Sequence, residues 1–288
     1  MGHCIVEDAE AILDKEFPVL NKGFVRLVDY LGGDERVVQS ARVSYGQGTK
    51  SYREDAGLID YLLRNTHTSP FEQVVLTFHV KLPIFVARQW IRHRTARLNE
   101  ISGRYSVMKE EFYLPNADDV ALQSSDNKQG RSVEKIDPAL AEEVRTAFAD
   151  GQKSSYSDYN LIVNKGIARE LARINLPLSI YTEWYWQIDL HNLFHFLKLR
   201  LDAHAQKEIR LYAETIFNIA KKVAPRCCES FERHTLNGVR FSGEEMAELR
   251  KRLASAENKE TNSSIETQGL SGKNLERFEE KIKSGRQY

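Results

Sequence analysis

The sequence lacks several features that mark secreted and membrane proteins. Among its 288 residues there are three cysteines, and two of them, Cys227 and Cys228, are adjacent. An odd number of cysteines in this arrangement does not form a disulfide framework, so we expect reduced thiols in the cytosol. No apolar run is long enough to cross a bilayer and no signal peptide is recognisable. A soluble, cytoplasmic protein is therefore expected.

The chain also lacks an excess of charge of either sign. Forty-one basic residues balance forty-one acidic residues. The chain as a whole therefore has no field that would hold a nucleic acid or an anionic membrane, and neither is expected as a partner. Any site for an anion must be local.

Neither of the common glycine-rich nucleotide motifs is present. There is no G-x-G-x-x-G after a predicted strand and no G-x-x-x-x-G-K-[ST]. A bound dinucleotide would have to be held by scattered side chains and turn amides.

The most informative segment that is present, residues 92–106, reads RHRTARLNEISGRYS. Between residues 88 and 104 a single acid, Glu100, stands among five arginines, which are Arg88, Arg92, Arg94, Arg97 and Arg104. Arginine gives two parallel hydrogen bonds to phosphate or carboxylate and keeps its charge. The segment thus favours a phosphorylated ligand over the alternative, in which these arginines pair with acids elsewhere in the fold.

We predict that residues 83–95 form a largely buried helix followed by a polar glycine turn. Pro83 suits the first turn of a helix, and the run after it is apolar. Asn99, Ser102 and Gly103 are turn formers, and a glycine lets backbone amides approach a ligand closely. The helix end and the turn together predict a phosphate cradle.

Periodicity in the rest of the chain predicts a mixed α/β (α+β) domain with a central sheet flanked by helices. Strands are predicted at 24–31, 73–82, 111–114 and 178–188. Helices are predicted at 35–43 with Asp34 as the cap, at 53–64, at 138–163 with an interruption near Gly151, and at 167–174, 190–201, 205–223 and 243–260. Ser44 and Tyr45 should end the first of these helices.

We divide the chain into three parts. Residues 1–21 are predicted to be a loosely attached lead-in, residues 22–235 a single domain, and residues 236–288 a polar, flexible C-terminal extension. Inside the domain, residues 116–137 are polar and contain glycine and serine, which predicts an exposed inserted loop with little structure of its own.

Several blocks resemble those of the flavin-dependent thymidylate synthases. The signature of that family is Arg92-His93-Arg94 followed, after seven further residues, by Ser102. The accompanying blocks, in family order, are THTSPFE at 66–72, PIFVARQW at 83–90, NEISGRYS at 99–106, A-R-x-x-L-P at 172–177 and L-R-x-D-x-H-A-Q at 199–206. The resemblance spans about residues 22–230, and residues 116–137 and those after 236 lie outside it.

This resemblance implies the methylation of dUMP to dTMP. The one-carbon unit would come from methylenetetrahydrofolate, and the hydride from NADPH through bound FAD. The family's mixed α/β fold would assemble as a homotetramer whose active sites are shared between subunits.

By position, the resemblance also assigns ligand contacts. The residues expected to bind dUMP are Gln89, Trp90, Ile91, Arg92, Glu100, Ile101, Ser102, Gly103, Arg104, Arg173 and Arg200. The residues expected to bind FAD are Ser69, Arg92, His93, Arg94, Glu100, Asp189, Leu190, His191 and His195. Ser44, Glu72 and His204 are further candidates for the same pocket, and His67 and Tyr105 for the folate or for proton movement.

Two of these residues have a special place in the resemblance. Arg200 is the expected catalytic residue, because a guanidinium against the N3/O4 edge of the pyrimidine would favour negative charge there and make C5 more nucleophilic. Asp189 departs from the family, in which asparagine is common at this position, so its contact to the adenine end of FAD is open.

Other interpretations of the same residues are open at this point. The arginine helix with aromatic residues is compatible with a nucleotide- or RNA-binding module, although the neutral net charge argues against it. His191 and His195 have metal-ligand spacing, but Asn192 replaces the acid of H-E-x-x-H and no Cys/His cluster completes a shell, so no metal is expected. Ser102 is assigned to binding, since nothing in the sequence places a base beside it.

Overall fold

The computed structural model describes residues 4–43, 52–125 and 129–257, together with residues 272, 275, 276, 278 and 279. The chain divides into two units, Met1–Glu232 and Arg233–Tyr288. Ser44 and Tyr45, predicted to end a helix, lie outside the described residues.

The first unit is built on a five-stranded antiparallel sheet with the order β1-β2-β3-β5-β4. The strands are β1 (Glu16–Val19), β2 (Gly23–Leu31), β3 (Val75–Pro83), β4 (Arg97–Glu100) and β5 (Tyr181–Asp189). β3 pairs with β5 along its whole length, from Val75 with Asp189 to Pro83 with Tyr181. β4 adds a short edge opposite residues 184–187 of β5. The mixed α/β fold is confirmed, as are the strands predicted at 24–31, 73–82 and 178–188 apart from their ends.

The first unit also contains α-helices. They are α1 (Glu7–Glu10), α2 (Asp34–Ala41), α3 (Tyr52–Arg64), α4 (Ile84–Trp90), α5 (Pro138–Asn164), α6 (Arg169–Ala172), α7 (Leu190–Arg200), α8 (Lys207–Val223) and α9 (Pro225–Phe231). Of these helices, α4, α7 and α8 contact the sheet. Short 3-10 turns occur at Phe71–Gln73, Ala117–Asp119 and Arg173–Asn175, and a π-helical turn at Glu232–Leu236.

The core lies between one face of the sheet and the helices α4, α7 and α8. Alternate residues of the strands are buried there, as the period of two requires, among them Phe78, Trp184 and Trp186. Trp90 of α4 is fully buried, and its ring lies 4.9 Å from that of Phe196 and 5.1 Å from that of Trp186. This aromatic packing fixes α4 and α7 against the sheet.

The prediction of a loosely attached lead-in is wrong for the described part of residues 1–21. β1 pairs with β2, with Phe17 opposite Val25. The amide of Val6 donates to the Tyr30 hydroxyl at 2.8 Å, and Ala9 is fully buried. A four-residue strand that contains a proline is a weak sequence signal, and proline is tolerated there because β1 is an edge strand.

The prediction that Asp34 caps α2 is also wrong. Gly33 occupies the cap position without a side-chain hydrogen bond. The Asp34 carboxylate instead accepts from the amides of Arg226 at 2.9 Å and Cys227 at 3.0 Å. Asp34 therefore caps the first turn of α9, nearly two hundred residues away in sequence.

Three further elements differ from the sequence predictions. α4 ends at Trp90 instead of near residue 95, and α5 runs through Gly151 without an interruption. A glycine in a helix costs only about 1 kcal/mol relative to alanine, which a long helix tolerates. Residues 111–114 form no strand and contribute a single bridge, between Phe112 and Ile180.

The inserted loop has little regular structure, as predicted, but it is anchored instead of simply exposed. Arg131 pairs with the fully buried Glu208 at 2.5 Å, and Asp119 pairs with Lys207. Both partners lie in the first turn of α8. The loop therefore docks on the start of this helix.

The second unit contains α10 (Gly243–Glu257). Ser242 and Glu245 form a capping box ahead of it: the amide of Ser242 donates to Glu245 Oε2 at 2.7 Å, and the amide of Glu245 donates to Ser242 Oγ at 3.1 Å. Across the described parts of both units, no helix combines the length and the apolar character that a membrane span needs.

Candidate active site

The arginine-rich segment follows α4 instead of lying within it. Ile91 is the C-cap of this short helix, and the His93 amide donates to the Trp90 carbonyl at 2.9 Å. Arg88, Arg92 and Arg94 are exposed. Arg88 lies in the last turn of α4, whereas the early end of this helix frees the guanidinium groups of Arg92 and Arg94 from a helical face.

The arginines of the predicted site are not paired with acids. Within the described ranges, no ion pair joins an aspartate or glutamate to any of Arg88, Arg92, Arg94, Arg97, Arg104, Arg173 and Arg200. Arginines elsewhere do form such pairs, for example Arg42 with Asp55 at 2.6 Å. The alternative in which the segment serves only internal ion pairs is therefore not supported.

One group of predicted residues meets between α4 and α7, and we call it the His–Arg cluster: Gln89, His93, His195 and Arg200. Arg200 Nε donates to His93 Nε2 at 3.0 Å, and Arg200 Nη2 donates to the Gln89 carbonyl at 3.4 Å. The ring of His195 lies 5.8 Å from that of His93. These contacts orient the guanidinium group of the expected catalytic residue.

The His–Arg cluster keeps His93 neutral. Burial, together with the charges of Arg200 and His195, lowers the pKa of His93 from 6.5 to about 4. Because Arg200 can only donate, Nε2 of His93 must be the acceptor and the ring proton sits on Nδ1. Burial also lowers the pKa of Arg200 from its ordinary value, but an arginine at neutral pH keeps its charge.

A second group forms the turn at residues 100–106, which we call the 100–106 turn. The Ser102 carbonyl accepts from the amides of Tyr105 at 3.0 Å and Ser106 at 3.2 Å, and the Arg104 amide donates to Ser102 Oγ at 3.3 Å. The amides of Ser102 and Gly103 have no acceptor among the described residues. Two free amides beside arginines that have no acidic partner among the described residues suit a phosphate group.

Gly103 brings Arg173 to this turn. A Cβ atom at this position would lie 3.2 Å from Arg173 Cδ and 3.1 Å from the Met108 sulfur. Glycine therefore permits the close approach of Arg173, which follows α6, to the turn. Arg169, at the start of α6, donates to the Tyr105 carbonyl at 2.9 Å.

The His–Arg cluster and the 100–106 turn lie toward opposite ends of β4. In sequence, His93 precedes this strand of four residues and the turn follows it. No hydrogen bond between the two groups occurs in the described parts of the chain. The hydrogen bonds of the described residues thus join each group internally but do not join the two groups to each other.

Glu100 ends β4 and is held at one oxygen. The Thr182 hydroxyl donates to Glu100 Oε1 at 2.6 Å. Glu100 is otherwise exposed, as are its neighbours Ile101 and Arg104.

Four of the residues expected to bind FAD belong to α7: Asp189 and Leu190 begin it, and His191 and His195 lie along it. Phe71 is fully buried and its ring lies 6.4 Å from that of Phe194, which brings the segment with Ser69 against this helix. His191 is half-buried, and Ser69 and His195 are exposed. The guanidinium groups at 92 and 94 have no acidic partner in the described parts of the chain. Together with the imidazoles and a hydroxyl they form a donor set that fits the phosphates and rings of a dinucleotide.

Asp189 has a structural role at this place. Its Oδ1 accepts from the Asn192 amide at 2.9 Å, and its Oδ2 accepts from Asn192 Nδ2 at 2.7 Å. Asp189 is thus the N-cap of α7. An asparagine has the same capping ability, so the departure from the family preserves this function of the position.

Trp90 and Leu190, both assigned to ligand binding by the resemblance, contribute their side chains to the core. Both are fully buried in the core, so a ligand could meet only their backbone. His204 lies outside the cluster: its amide and Nδ1 contact Asp202 Oδ1 at 2.8 and 2.9 Å. The exposed ring of His67 lies 5.7 Å from that of Tyr61.

The described residues include no group of three or more His, Cys, Asp or Glu side chains that could hold a metal. The three cysteines are free; Cys227 and Cys228 are buried and Cys4 is half-buried.

Sequence reasoning missed Gln206 and Glu208. Gln89 Nε2 donates to Gln206 Oε1, and Gln206 Nε2 donates to Glu208 Oε2 at 2.8 Å. Gln206 closes the block at 199–206, which could have pointed to it. Glu208 looks like an ordinary helix-start acid in the sequence, and only its complete burial distinguishes it.

Comparison with known proteins agrees with this geometry. Residues 26–226 match the family described as "Thymidylate synthase complementing protein", and residues 239–288 match "Thymidylate synthase ThyX C-terminal domain". The expectation that the segment after 236 lies outside the family is therefore wrong, and residues 116–137 fall within the first match.

Related proteins cover the chain almost completely. A flavin-dependent thymidylate synthase from Treponema denticola is 67% identical over 96% of this chain and all of its own length. One from Treponema pallidum is 60% identical over 100% of this chain and 91% of its own length.

A solved structure is similar as well. The UMP/dUMP methylase PolB from Streptomyces cacaoi, crystallised with 5-Br dUMP, is 33% identical, with a TM-score of 0.68 over 76% of this chain and 98% of its own. From the family matches and the relatives together, the chain belongs to the flavin-dependent thymidylate synthases.

Proposed function

We propose that this chain methylates dUMP to dTMP, with methylenetetrahydrofolate as the one-carbon donor and NADPH as the hydride source. As a member of the family the chain is an enzyme with FAD as its cofactor. FAD, when bound, supplies the reducing equivalents. The observation that carries the proposal is a set of guanidinium groups and two turn amides for which the described residues supply no acidic partner and no acceptor, respectively.

The 100–106 turn would hold the phosphate of dUMP. The amides of Ser102 and Gly103 and the guanidinium groups of Arg104 and Arg173 are the donors available there. Charge-assisted hydrogen bonds from such donors are roughly twice as strong as neutral ones. Binding energy at the phosphate would then position the pyrimidine.

Arg200 would act on the pyrimidine. His93 and the Gln89 carbonyl hold Nε and Nη2, which fixes the plane of the guanidinium group. A preoriented positive charge at the N3/O4 edge stabilises negative charge that develops there and makes C5 more nucleophilic. A neutral His93 leaves Arg200 as the dominant positive charge at this point of the cluster.

FAD would be held by Ser69, Arg92, His93, Arg94, His191 and His195. Asp189 would fix the start of α7, on which two of these histidines lie. Cys227 and Cys228 are not available as nucleophiles in this arrangement, since both are buried and burial raises the pKa of both thiols. Cys4 lines a different pocket, together with Asp34 and Arg226.

We also propose a homotetramer with shared active sites, located in the cytoplasm. A second subunit would bring its 100–106 turn to the first subunit's His–Arg cluster. Exposed apolar side chains near both groups support an interface: Ile91 is 38% exposed, Ile101 44% and Ile174 74%. The free cysteines suit a reducing compartment.

The test is turnover by the purified protein. Loaded with FAD, it should form dTMP from dUMP, methylenetetrahydrofolate and NADPH, and omission of any one of them should stop product formation. Arg200→Ala should impair turnover more than it impairs FAD retention. A colourless preparation that takes up no FAD, or a loaded protein that forms no dTMP, would refute the proposal.

A further inference from the structure

Glu208 is a fully buried carboxylate to which the proposed reaction assigns no role. It accepts from the Tyr113 hydroxyl at 2.8 Å, from Arg131 Nη2 at 2.5 Å and from Gln206 Nε2 at 2.8 Å. Burial raises the pKa of Glu208, but the hydrogen bonds from Arg131 and Tyr113 outweigh burial and place the pKa below its ordinary value. Glu208 is therefore ionised at neutral pH.

An ionised carboxylate dictates the orientation of the amide beside it. Because Glu208 can only accept, Gln206 must turn its NH2 group toward Glu208 and its carbonyl oxygen away. That oxygen accepts from Nε2 of Gln89. Reversing either amide would set two oxygens or two NH2 groups against each other, so charge at Glu208 fixes both orientations.

The chain of hydrogen bonds ends at the His–Arg cluster. One N–H of Gln89 Nε2 is engaged by Gln206, which turns the side-chain oxygen Oε1 away from Gln206, and this oxygen accepts no hydrogen bond from the described residues. Gln89 is half-buried on the last turn of α4, and its backbone carbonyl is held by Arg200 at 3.4 Å. The side chain thus presents a hydrogen-bond acceptor next to the expected catalytic guanidinium group.

dUMP has few groups that such an acceptor could bind. The ionised nucleotide offers two hydrogen-bond donors, the pyrimidine N3–H and the 3′-hydroxyl, and its remaining polar atoms are acceptors. We propose that Glu208 is a positioning residue that acts through Gln206 to hold the Gln89 carbonyl oxygen toward one of these donors of dUMP. The inference rests on the proposed function.

The inserted loop has a part in this arrangement. Arg131 supplies the positive charge that keeps Glu208 ionised, and Asp119 pairs with the neighbouring Lys207. If these pairs only fasten the loop to α8, breaking the hydrogen bonds onward to Gln206 and Gln89 should leave the binding of dUMP unchanged. If Glu208 positions Gln89, breaking them should weaken it. The two roles therefore differ in their effect on dUMP.

The first experiment compares two isosteric changes on α8. In Glu208→Gln the amide at 208 can donate to Gln206, so the amides of Gln206 and Gln89 can reverse and offer dUMP a donor instead of an acceptor. The KM of dUMP, and its Kd by calorimetry, should rise about tenfold, whereas the KM of NADPH and the FAD content per chain stay within about twofold of wild type. The control Glu214→Gln, an exposed residue of the same helix, should change none of these values.

A second pair of variants separates positioning from stability. Gln206→Leu leaves the pair of Glu208 with Arg131 intact but breaks the connection to Gln89, so it should raise the KM of dUMP as much as Glu208→Gln does. This variant tests the proposal also in the case that Glu208→Gln fails to fold. In a Gln89→Ala background, Glu208→Gln should have no further effect on dUMP. An unchanged KM in Gln206→Leu, or additive losses in the double variant, would overturn the proposal.

Two analogues identify the donor that is recognised. The Glu208→Gln effect should vanish with 2′,3′-dideoxyuridine monophosphate if Gln89 binds the 3′-hydroxyl, and with N3-methyl-dUMP if it binds N3–H. An effect that persists undiminished with both analogues would show that no donor is recognised and would also overturn the proposal. Failure of the wild-type protein to form dTMP would instead refute the proposed function, and calorimetry with dUMP would still test the positioning.

Discussion

Protonation of His93 should destabilise the fold at mildly acidic pH. The pKa of this ring is lowered from 6.5 to about 4 in the folded protein, first by burial and then by Arg200 and His195. Between these two values the unfolded chain binds a proton that the folded chain does not, so stability falls as the pH drops from 6.5 to about 4 and then levels off. The pKa difference corresponds to about 3 kcal/mol. Because His93 is partly solvated, screening reduces this to roughly 1–2 kcal/mol.

Urea unfolding at several pH values between 7 and 4 measures this contribution. The free energy of unfolding of the wild type should fall more steeply with decreasing pH than that of His93→Gln, which has an acceptor for Arg200 but no group that titrates in this range. The difference between the two proteins should grow to roughly 1–2 kcal/mol. Parallel curves for the two proteins, or an NMR titration that gives His93 an ordinary pKa, would refute the reasoning.

Three further predictions follow from single contacts. Asp34→Ala removes the cap of α9 and should lower the free energy of unfolding by about 1–2 kcal/mol, measured by urea unfolding, because the amides at 226 and 227 lose their acceptor. Gly103→Ala places a Cβ atom 3.2 Å from Arg173 and should raise the KM of dUMP several-fold while the flavin absorption spectrum is unchanged; an unchanged KM would contradict the role of the turn. Asp189→Ala should destabilise α7 by about 1 kcal/mol, as thermal unfolding would show, whereas Asp189→Asn keeps the cap, so a loss of FAD in the asparagine variant would point to a direct contact.

Local patterns were sufficient to predict the elements that form the core. The strands at 24–31, 73–82 and 178–188 and the helix at 190–201 are long enough for their periodicity to be distinctive. The short elements were not predictable, because β1 and β4 have four residues each and are stabilised by pairing with a neighbouring strand. Their formation depends on tertiary contacts that local propensity does not contain.

Long-range hydrogen bonds account for the other differences. Asp34 has the local signature of a helix cap, yet the amides that it accepts from belong to α9. Glu208 has the local signature of an exposed acid in a first helical turn, yet Arg131 and Tyr113 converge on it. In both cases the partner is many residues away, and no spacing rule connects the two positions.

The candidate site was predicted in part from residue chemistry and in part from the resemblance. The local excess of arginine and the glycine turn indicated an anion site without reference to any family. FAD, the folate and the role of Arg200 came from the resemblance alone. Neither source showed that α4 ends at Trp90, which leaves Arg92 and Arg94 exposed, because a helix end depends on the packing of its apolar face.

A crystal structure with dUMP and FAD bound tests the central claim most directly. The account predicts the phosphate of dUMP on the amides of Ser102 and Gly103, and the pyrimidine against an Arg200 that is still held by His93. A phosphate bound away from this turn, with Arg104, Arg173 and Arg200 paired with acids instead of the nucleotide, would contradict it.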